Sequence, residues 1–138
     1  MRKETAELLH EIEKNEDIRL FLHENRQEML DESAHDFLSK KLHEKNMKIS
    51  DVAGKSKHAE YIYKVFAGTR RASRDILISI AFGLNLSAGD AQMLLRLAGT
   101  ARLDPRNRRD AITLYALLKG RDILYLNELL YEIGEGLY

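Results

Sequence analysis

Cysteine is absent from the 138 residues, which excludes disulfides, thiolate metal sites and thiol nucleophiles and fits a reducing compartment. Tryptophan is absent too, and proline occurs once. Proline is the residue least tolerated inside a helix, so its scarcity, together with 32% charged residues, suits a chain of amphipathic helices. Strand signals are almost missing. No run approaches the roughly 20 apolar residues of a membrane-crossing helix, and the opening stretch MRKETAELLHEIEKNED lacks the apolar core of a signal peptide. The expectation is a soluble, cytoplasmic protein with no membrane partner, long enough to bury one substantial core without staples.

Net charge is also lacking: 22 basic residues balance 22 acidic ones. The balance hides a strong segregation. Residues 1–36 carry 5 basic and 11 acidic groups, residues 37–74 carry 10 and 3, and residues 75–138 carry 7 and 8. The middle third is therefore a basic island of the kind that meets a polyanion, and its acidic flank is either a shield or a solvated helix face.

Apolar periodicity predicts helices throughout. Ala6, Leu8, Leu9 and Ile12 mark a first helix ending near Asn15, and Asp17 caps a second that runs to about Leu30 with Ile18, Phe21, Leu22 and Met29 inward. These two form an arm over residues 1–32, expected to pack on the core, with a dimerisation arm as the alternative. Ser33 with Asp36 is a capping pair for a helix over 34–45 whose buried stripe is Phe37, Leu38 and Leu42, and Asn46 suits its left-handed end. Ser50 is expected to cap a short helix with Val52 and Ala53. A polar turn and a second helix from Lys57 or His58 to Phe66 follow, closed by Gly68. Arg74–Phe82 is strongly apolar and stopped by Gly83, and Ser87 caps the next helix up to Gly99. Asp104 and Pro105 form a helix start with Asn107 to Lys119 helical, and Ile123–Ile133 is the last helix, ending at Gly134. The fold class is thus all-α, a compact bundle of about seven or eight helices, with residues 33–100 as a central core and 101–138 as a helical hairpin continuing the same globular unit. No low-complexity segment and no internal repeat are seen.

Enzyme chemistry finds no support. Gly54-Lys55-Ser56 matches the end of a phosphate-binding loop, but Ile49 stands where that motif needs glycine and no strand precedes it. His10, His23, His35, His43 and His58 include no HExxH pair, and His35 and His43 are two helical turns apart. Glu7, His10 and Glu11 read as a solvated face. No catalytic residue, metal site or cofactor is therefore assigned.

The segment ISDVAGKSKHAEYIYKVFAGTRRASR resembles the phage-repressor and Cro-like (XRE) helix-turn-helix family. Leu42, Val52-Ala53, Ser56, Ile62, Val65 and Gly68 carry the likeness, and Ile76, Leu77, Ile80, Ala81 and Leu84 continue it. It spans about residues 36–99, and the helical C-terminal extension resembles that of a bacterial subset. The resemblance implies a sequence-specific transcriptional regulator, nucleoid-associated, binding double-stranded DNA as a homodimer. Lys57, His58, Glu60 and Tyr61 are then the base-reading candidates, and Tyr63, Lys64, Thr69, Arg70, Arg71 and Arg74 the phosphate-binding ones. Lys40 and Lys55 would add to the field at longer range. The competing expectation is a non-catalytic module that uses the same fold to hold a protein partner.

Overall fold

The computed structural model describes residues 3–29 and 33–138 and is all-α, with nine α-helices and one short 3-10 turn among the described residues. None of these helices is long and apolar enough to cross a membrane. The chain divides into two compact units, Met1–Asp31 and Glu32–Tyr138.

In the first unit, α1 (Thr5–Lys14) buries none of its residues, and α2 (Ile18–Glu24) is capped by Asp17, whose side chain accepts the Arg19 N–H. The second helix is shorter than expected. Buried Asn25 turns its amide onto the Phe21 carbonyl and accepts Lys3 Nζ at 2.6 Å, and the chain then tightens into the 3-10 turn Arg26–Glu28. An asparagine side chain that bonds nearby backbone in this way competes with the helical ladder. The expected end at Leu30 lies outside the described residues.

The second unit gathers α3 (Ala34–Glu44), α4 (Ile49–Ala53), α5 (Ala59–Phe66), α6 (Arg74–Gly83), α7 (Ala88–Leu97), α8 (Arg108–Leu118) and α9 (Ile123–Ile133) around one core. Local chemistry explains most boundaries. Ser33, Ser73, Ser87, Asn107 and Asp122 each accept a backbone N–H three residues on at the start of their helices. Asn46 (φ 52°) and Gly68 (φ 77°) take the left-handed conformation after α3 and α5.

The boundaries of α4, α6 and α8 differ from expectation. Ser50 lies inside α4, which begins after Lys48 because Asp51 reaches back to the Lys48 N–H at 2.9 Å. Asp104-Pro105 does not open α8: the Asp104 carboxylate accepts the Arg106 N–H in a turn, and Asn107 is the cap. Gly83 does not stop α6 either. It is the last helical residue, and the left-handed turn falls on Asn85 (φ 52°). Gly83 serves instead as a close-approach point, since a Cβ there would stand 2.3 Å from the Val52 carbonyl oxygen of α4.

The structure also overturns the reading that the chain has no internal repeat. Residues 74–103 recur at 109–138, an offset of 35. Arg74-Asp75, Ala81, Leu94-Leu95 and Gly99 return as Arg109-Asp110, Ala116, Leu129-Leu130 and Gly134. The left-handed residues Asn85 and Gly99 correspond to Gly120 and Gly134, and the caps Ser87 and Asp122 coincide. Side-chain roles repeat as well. Gln92 holds the backbone N–H and carbonyl of Leu103 at 2.7 and 2.8 Å, and Asn127 does the same for Tyr138 at 2.8 and 3.2 Å. Arg74 donates to the carbonyls of Ala101 and Arg102, and Arg109 to those of Gly136 and Leu137.

The two copies are locked by exchange. Arg74 pairs with Asp110 at 2.8 Å and Arg109 with Asp75 at 3.0 Å, so each arginine takes the other copy's aspartate. Contacts of the form i with j′ and j with i′ define an approximate two-fold axis, as in a symmetric dimer joined into one chain. In keeping with this axis, α6 packs on α9 and α7 on α8.

Candidate nucleic-acid interface

The helix pair α4 and α5 is joined by five residues, Gly54 to His58. Buried Val52 and Ala53 of α4 face buried Ile62, Val65 and Phe66 of α5, and α6 packs against both helices. Helix α5 starts at Ala59, later than expected, because Ser56 Oγ accepts the His58 N–H at 3.0 Å and holds 56–58 in a turn. Lys57 and His58 therefore sit on the turn that leads into the helix.

The outer face of α5 follows helical spacing. Glu60, Tyr63 and Lys64, at i, i+3 and i+4, are all exposed, with Tyr63 at 46%. Lys57 extends this exposed set at the N-terminal end, while His58 is half-buried. Tyr61 is turned away from the strip: its hydroxyl donates to the Arg71 carbonyl at 2.8 Å, and the Arg70 guanidinium lies 5.9 Å from its ring centre. Its role in the structure is to hold the connector between α5 and α6. Thr69 has a similar structural duty, donating its hydroxyl to the Lys64 carbonyl at 3.2 Å.

The cations divide into two groups. Lys57, Lys64, Arg70 and Arg71 are exposed and make no ion pair among the described residues. Arg74, expected among the phosphate-binding residues, is engaged by four hydrogen bonds to Asp110, Ala101 and Arg102. Its guanidinium belongs to the repeat lock. Sequence alone could not separate Arg74 from Arg70 and Arg71, because its partners lie 27 to 36 residues away. Lys40 is exposed at the surface of α3.

Lys55 is engaged as well, clamping the turn between α4 and α5 to the start of α9 through Asp122 at 2.8 Å. The Lys55 ammonium, and then the Tyr125 N–H, hold the Asp122 carboxyl below its ordinary value. The stability this contributes is present above the unfolded carboxylate pKa of about 3.9 and disappears as pH falls through the folded value. Asp122→Ala is expected to cost about 1 kcal/mol near neutral pH, chiefly through the lost cap, and less below pH 4, as urea unfolding at a series of pH values will read.

Among the described residues no group of three or more His, Asp or Glu side chains is placed to hold a metal ion. The fold and the site define an all-α protein with a helix–turn–helix pair carrying exposed cations on and beside its second helix. No family model, curated protein or solved structure matches the chain.

Proposed function

We propose that the protein is a sequence-specific DNA-binding transcriptional regulator that inserts the N-terminal part of α5 into a major groove. The observation that carries the reading is the exposed set Lys57, Glu60, Tyr63 and Lys64 beside the exposed pair Arg70 and Arg71, on a helix backed by a buried apolar face. Lysine can donate to guanine O6 and N7 and glutamate can accept from cytosine N4, while Tyr63 offers a ring to a thymine methyl or a hydroxyl to a phosphate. Arg70 and Arg71 would grip the phosphates that fix register. His58 is half-buried on the turn before this surface, and Tyr61 braces the connector that carries Arg70 and Arg71. A homodimer on two half-sites follows from the same reading.

Fluorescence anisotropy of a labelled duplex between 50 and 200 mM salt tests it. Wild-type affinity is expected to fall steeply, and the Lys64→Ala, Arg70→Ala, Arg71→Ala variant to lower the slope of log K against log salt by two to three units. Arg74→Ala should act through stability alone. A slope the triple variant leaves unchanged removes this surface from DNA binding.

A second reading, a protein-interaction module, draws on one observation. The α8 position that corresponds to Gly83, where α6 meets α4, is Leu118, exposed at 72%, and Tyr115, three residues earlier on the same helix, is exposed at 47%. That open seat is the place a protein partner would cover.

A further inference from the structure

A cavity of about 520 Å³ opens between the N-terminal end of α3, the connector after α5 and the end of α7. Its floor is apolar: Leu38, Val65 and Leu77 are buried core residues, and Leu97 and Ala98 close the far side. Its mouth is cationic and polar, with Arg70, Arg71, Thr69 and His35 among the residues that line it. None of the lining residues is acidic, although acidic groups make up as much of the chain as basic ones.

The rim is built rather than incidental. His35 Nε2 lies 3.0 Å from the Phe66 carbonyl, and since a carbonyl only accepts, Nε2 carries the proton and Nδ1 is left over. Gly68, at φ 77°, turns the chain directly beside that ring: a Cβ on it would lie 3.7 Å from His35 Nε2. The connector is then held on its other side by Tyr61 through the Arg71 carbonyl. The volume falls in the range of roughly 300–1,000 Å³ typical of small-molecule sites, and an apolar chamber with a few convergent polar groups is their usual composition.

We propose that this cavity binds a small organic anion, a carboxylate or phosphate monoester on an apolar body the size of two fused rings or a medium acyl chain. The apolar body replaces water on Leu38, Val65, Leu77 and Leu97, and the anionic head meets Arg70 and Arg71 at the mouth, where charge-assisted bonds to guanidinium groups are strong. The site stands on the cavity and its cations alone. Its consequence for DNA rests on the regulator reading: the two arginines cannot serve a bound anion and a phosphate backbone together, so ligand and DNA oppose each other by linkage.

The test uses 1-naphthaleneacetate, its neutral amide and plain acetate as probes of the full-length protein, followed by calorimetry and by amide chemical shifts in NMR. The acid is expected to bind at least tenfold more tightly than the amide, acetate to show no binding, and the shifts to centre on Gly68, Thr69 and Ala72. Arg70→Gln with Arg71→Gln, both at exposed positions, should erase the preference for the acid, and Ala98→Phe should abolish binding of both acid and amide by filling the chamber. Equal binding of acid and amide to the wild type overturns the proposal, as do shifts centred on Tyr115 and Leu118 or unimpaired binding by a folded Ala98→Phe protein. In a separate arm, saturating naphthaleneacetate is expected to weaken duplex binding by at least fivefold. Ligand binding without duplex binding refutes the regulator reading and leaves the site standing; duplex binding without ligand binding does the reverse.

Discussion

Gly83→Ala is expected to destabilise the protein by about 2 kcal/mol or more, although alanine is the better helix former by about 1 kcal/mol. The added Cβ would stand 2.3 Å from the Val52 carbonyl oxygen, 2.8 Å from its Cγ1 and 3.0 Å from its carbonyl carbon. Two of those three atoms are backbone, so no rotamer change relieves the contact, and α4 must move off α6. Overpacking of this kind costs about 1–3 kcal/mol even where side chains can adjust. Gly89→Ala is the matched control. It too is helical, but the nearest atom to its added Cβ is Ser87 Oγ at 3.9 Å, so its expected effect runs from neutral to a gain of about 1 kcal/mol. Urea unfolding of the two variants decides the matter, and equal stabilities would show that α4 and α6 do not meet at this distance. Because α4 is packed between α5 and α6, the same substitution should disturb the angle of α5 and weaken any activity that depends on it.

The second large effect comes from the exchanged ion pairs, whose two halves are unequal. The Asp110 side chain is 9% exposed and accepts three bonds, two from Arg74 at 2.8 and 3.1 Å and one from the Asp104 N–H at 3.1 Å. Asp75 makes the equivalent pair with Arg109, yet its side chain is 47% exposed. Breaking a buried pair costs about 3–5 kcal/mol because a charge is stranded, while an exposed pair contributes about 0–1 kcal/mol. Arg74, at 25% exposure, recovers part of its hydration when its partner is removed. Asp110→Ala is therefore expected to cost about 3 kcal/mol and Asp75→Ala less than about 1 kcal/mol, measured by urea unfolding. Equal losses would mean that the repeat geometry, not burial, governs the pairs. The comparison also separates Arg74 from Arg70 and Arg71: substituting the first lowers stability, and substituting the others should leave it nearly unchanged.

The repeat itself was written in the sequence but too faintly to read. Only six of the thirty aligned positions are identical, and the roles that match are carried by different residues: Ser87 and Asp122 as caps, Asn85 and Gly120 as left-handed turns, Gln92 and Asn127 as backbone clamps. Each substitution preserves a geometry while changing the letter. The faces diverge for a physical reason as well. Gly83 must be small to meet α4, whereas Leu118 at the equivalent place is exposed.

The candidate interface was half legible. Exposure of Glu60, Tyr63 and Lys64 follows from helical spacing once Ile62, Val65 and Phe66 are taken as the inner face, while Lys57 is exposed on the turn before the helix. The duties of Tyr61, Thr69 and Arg74 do not, since each is set by a hydrogen bond whose partner the helix period leaves open. His35 gave no signal at all, because its carbonyl partner is 31 residues away.

What the sequence determined by itself rests on short-range chemistry. The absence of strands among the described residues, the caps at Asp17, Ser33 and Ser87, the left-handed turns at Asn46 and Gly68 and the end of α9 at Gly134 all depend on residues within one or two helical turns. Only the tertiary structure decided which arginine is exposed and which is locked, which glycine ends a helix and which lets two helices touch, and that α6–α7 and α8–α9 are two copies exchanging ion pairs. Those outcomes rest on contacts between residues about 30 apart, and neither periodicity nor local propensity carries information over that distance.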